Sequence, residues 1–157
     1  ALPLVPLDPA RVTTAPELQV SAAGDALGSW LVVGGIRPRD AEVTATVRTT
    51  GGVAILLGLT DAGHLDAVEL RPTAPTRLVR HDGGDPEVLC TGASVAADAL
   101  TGSHTIAVTA RDGAITVTLG DLELLTCEPV TLREGLVGVA PLGDGATLTL
   151  LTMSVTR

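Results

Sequence analysis

The chain has no lysine, no asparagine, no phenylalanine and no tyrosine, and one tryptophan, Trp30. All ten basic residues are arginine. The four missing types have AT-rich codons, so their absence points first to a very GC-rich genome, as in actinobacteria, and only then to function. With one ring in the whole chain, stacking on aromatic faces has a single candidate. Cysteine is nearly absent too. Cys90 and Cys127 form no C-x-x-C pair and have no histidine at finger spacing, which excludes a finger-type zinc site. No apolar run approaches the ~20 residues that span a bilayer as a helix. Net charge is −8, which argues against nucleic acid and anionic membranes as partners. There is no Gly-x-Ser-x-Gly elbow and no glycine-rich phosphate loop.

What is present is β-branched and periodic. The 157 residues are 45% hydrophobic, enough for one domain with a real core. Mean hydropathy is +0.42, so the chain is not disordered as a whole. The stretch Gly102 to Gly120, GSHTIAVTARDGAITVTLG, is a β-hairpin by pattern. Ile106 and Val108 share a face with Ile115, Val117 and Leu119, while threonines and Ala107 take the other. Asp112-Gly113 supplies the positive φ that a tight turn needs. One face of the hairpin is apolar, so a second layer has to cover it.

The segments around it repeat the theme. Val43, Ala45 and Val47 alternate with polar residues. Residues 53–60 are a nearly continuous apolar run, as a central strand requires. Further strand signals cover 65–71, 77–81, 87–90, 122–127, 135–140 and 146–156, with glycine or proline between them. Residues 93–100, ASVAADAL, are the one place that suits a short helical turn. Residues 1–17 carry four prolines and suit an extended lead-in or linker. Their start, ALPLVPLDPA, has no signal-peptide pattern and suits a mature terminus or an artificial boundary. The expectation is therefore one all-β domain over residues 18–157. It is a two-sheet antiparallel jelly-roll sandwich of about ten or eleven short strands.

Three stretches carry a family resemblance: GSWLVVGGIRPRDAEVTATVRT, GVAILLGLTDAGHLDAVELRP, and GSHTIAVTARDGAITVTLGDLELL followed by EGLVGVAPLGDGATLTLLTMSV. Together they resemble the concanavalin A-like jelly roll of laminin G type. The nearest versions are keto-disaccharide hydrolase-like domains and accessory modules of secreted bacterial glycosidases. Trp30, His104, Gly113, Gly120, Gly135 and Gly138 fall at that pattern's places, while Ser103 stands where the family usually has tryptophan. The strand around Asp66-Ala67-Val68 lacks the family's usual tyrosine. The resemblance covers about residues 28–156 and implies an extracellular or cell-surface module that binds glycan or a protein partner. It leaves two alternatives: a glycoside hydrolase of the keto-disaccharide type, and an assembly domain with no small ligand.

The residues themselves point to one candidate site. Glu69 and Arg71 share a strand face opposite to Val68 and Leu70. Arg77 and His81 share a parity on the next strand, and Arg80 falls on the other face or at a strand end. Two guanidiniums, a carboxylate and an imidazole on a surface of threonine and alanine could bind a polyol by charge-assisted hydrogen bonds. The competing reading is ordinary cross-strand charge pairing. A glycosidase needs two acids across a cleft. Asp121 and Glu123 have a suggestive two-residue spacing, but a solvated turn explains them and no catalytic residue is assigned. His64, His81 and His104 are too scattered for a metal signature. No cofactor is expected, although the oxygen-rich turns at Asp82–Asp85 and Asp144 leave calcium possible.

Cys90 and Cys127 each end a strand-like run, EVLC and LELLTC. One disulfide in an oxidising compartment is the favoured reading, and two buried thiols are the other. Trp30 is expected in the core. Its emission should then be blue-shifted and indifferent to added sugars, and Trp30→Ala should cost about 3–5 kcal/mol. A red-shifted band that responds to a glycan would make Trp30 a binding platform instead.

Overall fold

The computed structural model describes residues 5–6, 12–14, 18–21, 31–36, 41–61, 64–130, 135–142 and 147–156. Trp30 and most of the proline-rich stretch 1–17 lie outside them. The strands are β1 (Val5–Pro6), β2 (Val12–Thr14), β3 (Leu18–Ser21), β4 (Leu31–Ile36), β5 (Ala41–Thr49), β6 (Gly52–Asp61) and β7 (His64–Leu70). They continue with β8 (Pro75–Asp82), β9 (Glu87–Ser94), β10 (Ser103–Arg111), β11 (Ala114–Leu119), β12 (Leu122–Cys127), β13 (Gly135–Leu142) and β14 (Thr147–Thr156). Ten of the fourteen therefore come from Ala41 onward, close to the number expected. They form two antiparallel sheets, β1-β4-β13-β6-β7-β8-β9 and β12-β11-β10-β5-β14-β3-β2.

The hairpin is β10 and β11, and it lies where its pattern placed it. Asp112 has φ 51° and Gly113 φ 77°, so both central residues of the two-residue turn are left-handed. That is the turn whose twist matches the strands it joins. The register pairs Ile106 with Leu119, Val108 with Val117 and Ala110 with Ile115. All six side chains are buried. On the far face the Thr105 hydroxyl meets that of Thr46 on neighbouring β5 at 3.0 Å.

The opposite sheet answers with Val53, Ile55 and Leu57 of β6, Val68 and Leu70 of β7, and Leu78 of β8, in one cluster with the hairpin residues. The continuous apolar run of β6 has a second cause. Ala54 and Leu56 point the other way and join Leu59, Leu65, Ala67, Ala140 and Leu142 in a separate buried cluster. A strand buried on both faces cannot alternate apolar with polar.

The expected helical turn at 93–100 is not helical. Strand β9 runs to Ser94, and Val95 makes a bridge with Pro72. Two turns follow, closed by Ala99 N–H to the Ala96 carbonyl at 3.1 Å and Thr101 N–H to the Asp98 carbonyl at 3.1 Å. Helix-favouring alanines lose here because the chain has to leave a sheet edge and reverse into β10.

One long side of the sandwich is closed by backbone contact. Edge strand β9 of one sheet lies against edge strand β12 of the other. A Cβ added at Gly92 would sit 2.2 Å from the Leu124 carbonyl oxygen. Gly92→Ala must therefore push the two edges apart and should cost about 1–3 kcal/mol. Gly84→Ala, whose added Cβ meets nothing within 4 Å, is the control and should stay within about 0.5 kcal/mol of the parent. Denaturant midpoints compare the two, and equal shifts would refute a tight seam.

Candidate functional site

The four candidate residues share one face of the β7–β8 pair. Glu69 sits opposite Arg77 and Leu65 opposite His81 in the antiparallel register. Arg71 follows Glu69 by two residues and so keeps its side. Arg71 Nη1 donates to Glu69 Oε1 at 2.6 Å, and Arg77 Nη2 donates to the same oxygen at 2.9 Å. Glu69 is only 6% exposed, so this carboxylate is withdrawn from water and held by two cations. The arginine side chains are 26% and 41% exposed. The group carries a net charge of plus one on a chain of net charge −8. Arg77, which reaches Glu69 through Nη2, is the more exposed of the two arginines.

The surroundings differ from expectation. The face is not threonine and alanine. Ala67 and Val79 stand between the Glu69–Arg77 pair and His81, and Leu56, Leu65 and Ala67 belong to the adjoining buried cluster. The reason is that this face of the sheet carries its own apolar cluster, so the charged group borders a packed surface. Those apolar side chains are themselves buried, so only the arginines of the group reach solvent.

Sequence reasoning left Arg80 without a partner and passed over Asp66. Asp66 shares the inward parity of Val68 and Leu70 and is fully buried. Arg80 Nε donates to Asp66 Oδ1 at 2.9 Å and Nη2 donates to Oδ2 at 3.1 Å. This fork-to-fork geometry is the strongest form of the pair. The hydrogen bond to Asp66 is the main reason the guanidinium's pKa is raised, against the opposing effect of burial. The signal was in the sequence. An acid at an inward position needs a cation opposite, and Arg80 alone of the β8 arginines has the matching parity.

These two acids also bear on hydrolysis. Asp66 and Glu69 are the only buried carboxylates among the described residues. They lie on opposite faces of β7, and arginine holds each, so they cannot flank one glycosidic bond. Asp121 and Glu123 are exposed beside a turn, and Glu123 Oε1 accepts from Thr126 Oγ1 at 3.0 Å. His104 hydrogen-bonds the Thr101 carbonyl, a structural role. Among the described residues no group of three or more His, Cys, Asp or Glu is placed to hold a metal ion. Asp144 lies outside them.

A concavity away from the Glu69 group was not visible in the sequence. A pocket of about 250 Å³ opens at one end of the sandwich, between Thr49, Thr50, Gly51, Pro72, Leu100 and Thr101. Next to it Thr73 is held at φ 64°, a costly position for a β-branched residue.

No protein-family profile and no curated protein sequence matches the chain. Solved structures do. A carbohydrate-binding module, CBM66 from Bacillus subtilis, superposes with TM-score 0.77 at 13% identity over 98% of this chain and 95% of its own. The fold is that of the concanavalin A-like jelly rolls. A legume lectin-like domain from Entamoeba histolytica matches with TM-score 0.70 at 10% identity, over 99% of this chain and 89% of that one. A protein with a galectin-like fold from Bacillus subtilis reaches 0.64 at 12% identity, over 99% and 88%. At such identities the architecture is shared, and the site residues have to be argued from this jelly roll's own geometry.

The two ion-pair groups should separate by stability. Arg80→Ala removes the partner of a buried charge, Asp66, and should cost about 3–5 kcal/mol. Arg77→Ala removes a half-exposed cation while Arg71 still holds Glu69, and should cost about 1 kcal/mol or less. Chemical denaturation of both variants measures this. Equal losses would mean that Glu69 depends on Arg77 as Asp66 depends on Arg80.

Proposed function

We propose that this jelly roll is a non-catalytic glycan-binding module that works outside the cell beside a secreted carbohydrate-active protein. The observation that carries the reading is the Glu69, Arg71 and Arg77 group. Three side chains from two adjacent strands are locked together by hydrogen bonds, so their donors are pre-aimed before any ligand arrives. Arg77 is the outermost and offers planar donors to vicinal hydroxyls. The fold neighbours support the reading, because a carbohydrate-binding module and a lectin-like domain share this architecture. Among the described residues no helix is long and apolar enough to cross a membrane.

Affinity without a stacked ring should be weak, and it should depend on the arginines. A glycan array followed by calorimetric titration of the best oligosaccharide tests this. Arg77→Ala should weaken binding by about tenfold or more, the equivalent of losing one hydrogen bond to a charged group. Arg71→Ala should weaken it as well. If a glycan binds and both variants hold it as tightly as the parent, the site lies elsewhere, with the Thr49–Thr101 pocket the next place to look. If the parent binds no glycan, the function is wrong.

A further inference from the structure

Cys90 and Cys127 are 37 positions apart in the chain and meet across the seam of the sandwich. Cys90 pairs in register with inward-facing Leu78, and Cys127 with inward-facing Ile115. One therefore points inward from the edge of the first sheet and the other from the edge of the second. The Cys90 Sγ lies 3.8 Å from the carbonyl oxygen of Thr126, the residue next to Cys127. The backbones behind them are in contact at Gly92 and Leu124. Both carry free thiols, Cys127 buried and Cys90 partly open to solvent.

We propose that Cys90 and Cys127 form an oxidisable clasp, one intrachain disulfide that locks the two sheets together along the β9–β12 seam. The oxidant is a small disulfide such as oxidised glutathione. The Cys90 thiolate, the accessible one, attacks one sulfur of that disulfide, breaks its S–S bond and releases one glutathione, which takes up a proton. The Cys127 thiolate then attacks the Cys90 sulfur of the mixed disulfide and displaces the second glutathione. Two protein thiols are oxidised and one glutathione disulfide is reduced to two thiols, so electrons and protons balance.

The geometry also sets how the clasp opens. A reducing thiol can reach only the Cys90 sulfur, so Cys127 has to be the leaving group. Burial, and then its hydrogen bond with Cys90, pushes the Cys127 thiol up to about 12. A thiolate of such high pKa leaves slowly. The same raised pKa makes the Cys127 thiolate scarce, so the clasp should form slowly and then resist reduction while the sandwich stays folded, which suits a permanent staple better than a rapid switch. Position strengthens the case. The bond would tie two edges that no backbone hydrogen-bond ladder joins.

The test equilibrates the folded full chain with oxidised glutathione, blocks remaining thiols, unfolds the chain and counts them by mass. The expected result is no free thiol, a mass lower by two hydrogens, no dimer and a higher melting temperature than the reduced chain. Cys90→Ser, at the partly open position, should fold and should lose the oxidation-dependent shift. Dithiothreitol should reduce the folded oxidised chain roughly tenfold or more slowly than the same chain in denaturant. Two thiols still present after unfolding would overturn the clasp. A disulfide between chains, or identical melting of the oxidised and reduced forms, would overturn it equally.

Discussion

The inward faces of β6 and of the β10–β11 hairpin press on each other, and that contact sets the conditions for the rest of the molecule. Val53, Ile55 and Leu57 meet Ile106, Val108, Ile115 and Val117 in one dry layer. Neither sheet could stand alone in water with such a face open. Because the layer holds no phenylalanine or tyrosine, it is built from branched aliphatic side chains in many small contacts. Many strands are then needed to bury what a few rings would otherwise bury.

That layer also decides where charge can go. Along β7 every second side chain belongs to the core, so the acids divide. Asp66 falls on the inward side and has to recruit Arg80 at the rim. Glu69 falls on the outward side and recruits Arg71 and Arg77 over a second apolar patch. The first pair is buried cost offset by geometry, a structural rivet. The second leaves cationic donors in partial contact with solvent. One strand thus carries a buried ion pair on one face and a half-exposed cationic group on the other.

The seam at β9 and β12 is the remaining design problem. Edge strands present unpaired backbone groups and invite other chains. Here two edges from different sheets lean on each other, close enough that Gly92 can carry no side chain. Val88 and Leu122 are the exposed large apolar residues among the described ones, and they flank that same side. The seam is also where the two cysteines come together. At Gly92 the approach is so close that even a Cβ would meet the Leu124 carbonyl and the Leu125 side chain.

The sequence alone determined the fold class and much of the local detail. Alternation of period two marked the strands, and Asp112-Gly113 marked the hairpin turn. Parity put Glu69, Arg71, Arg77 and His81 on one face and Arg80 on the other. These features are local, and side-chain direction along a strand follows from chain geometry alone. The helical expectation at 93–100 failed because propensity there yields to the need to turn between sheets. Only the tertiary structure decided that the face around Glu69 is apolar, since that depends on which strands become neighbours. It alone opened the pocket beside Thr73 and brought Cys90 to Cys127. Each of those depends on distances between residues far apart in the chain, and no period or motif encodes them.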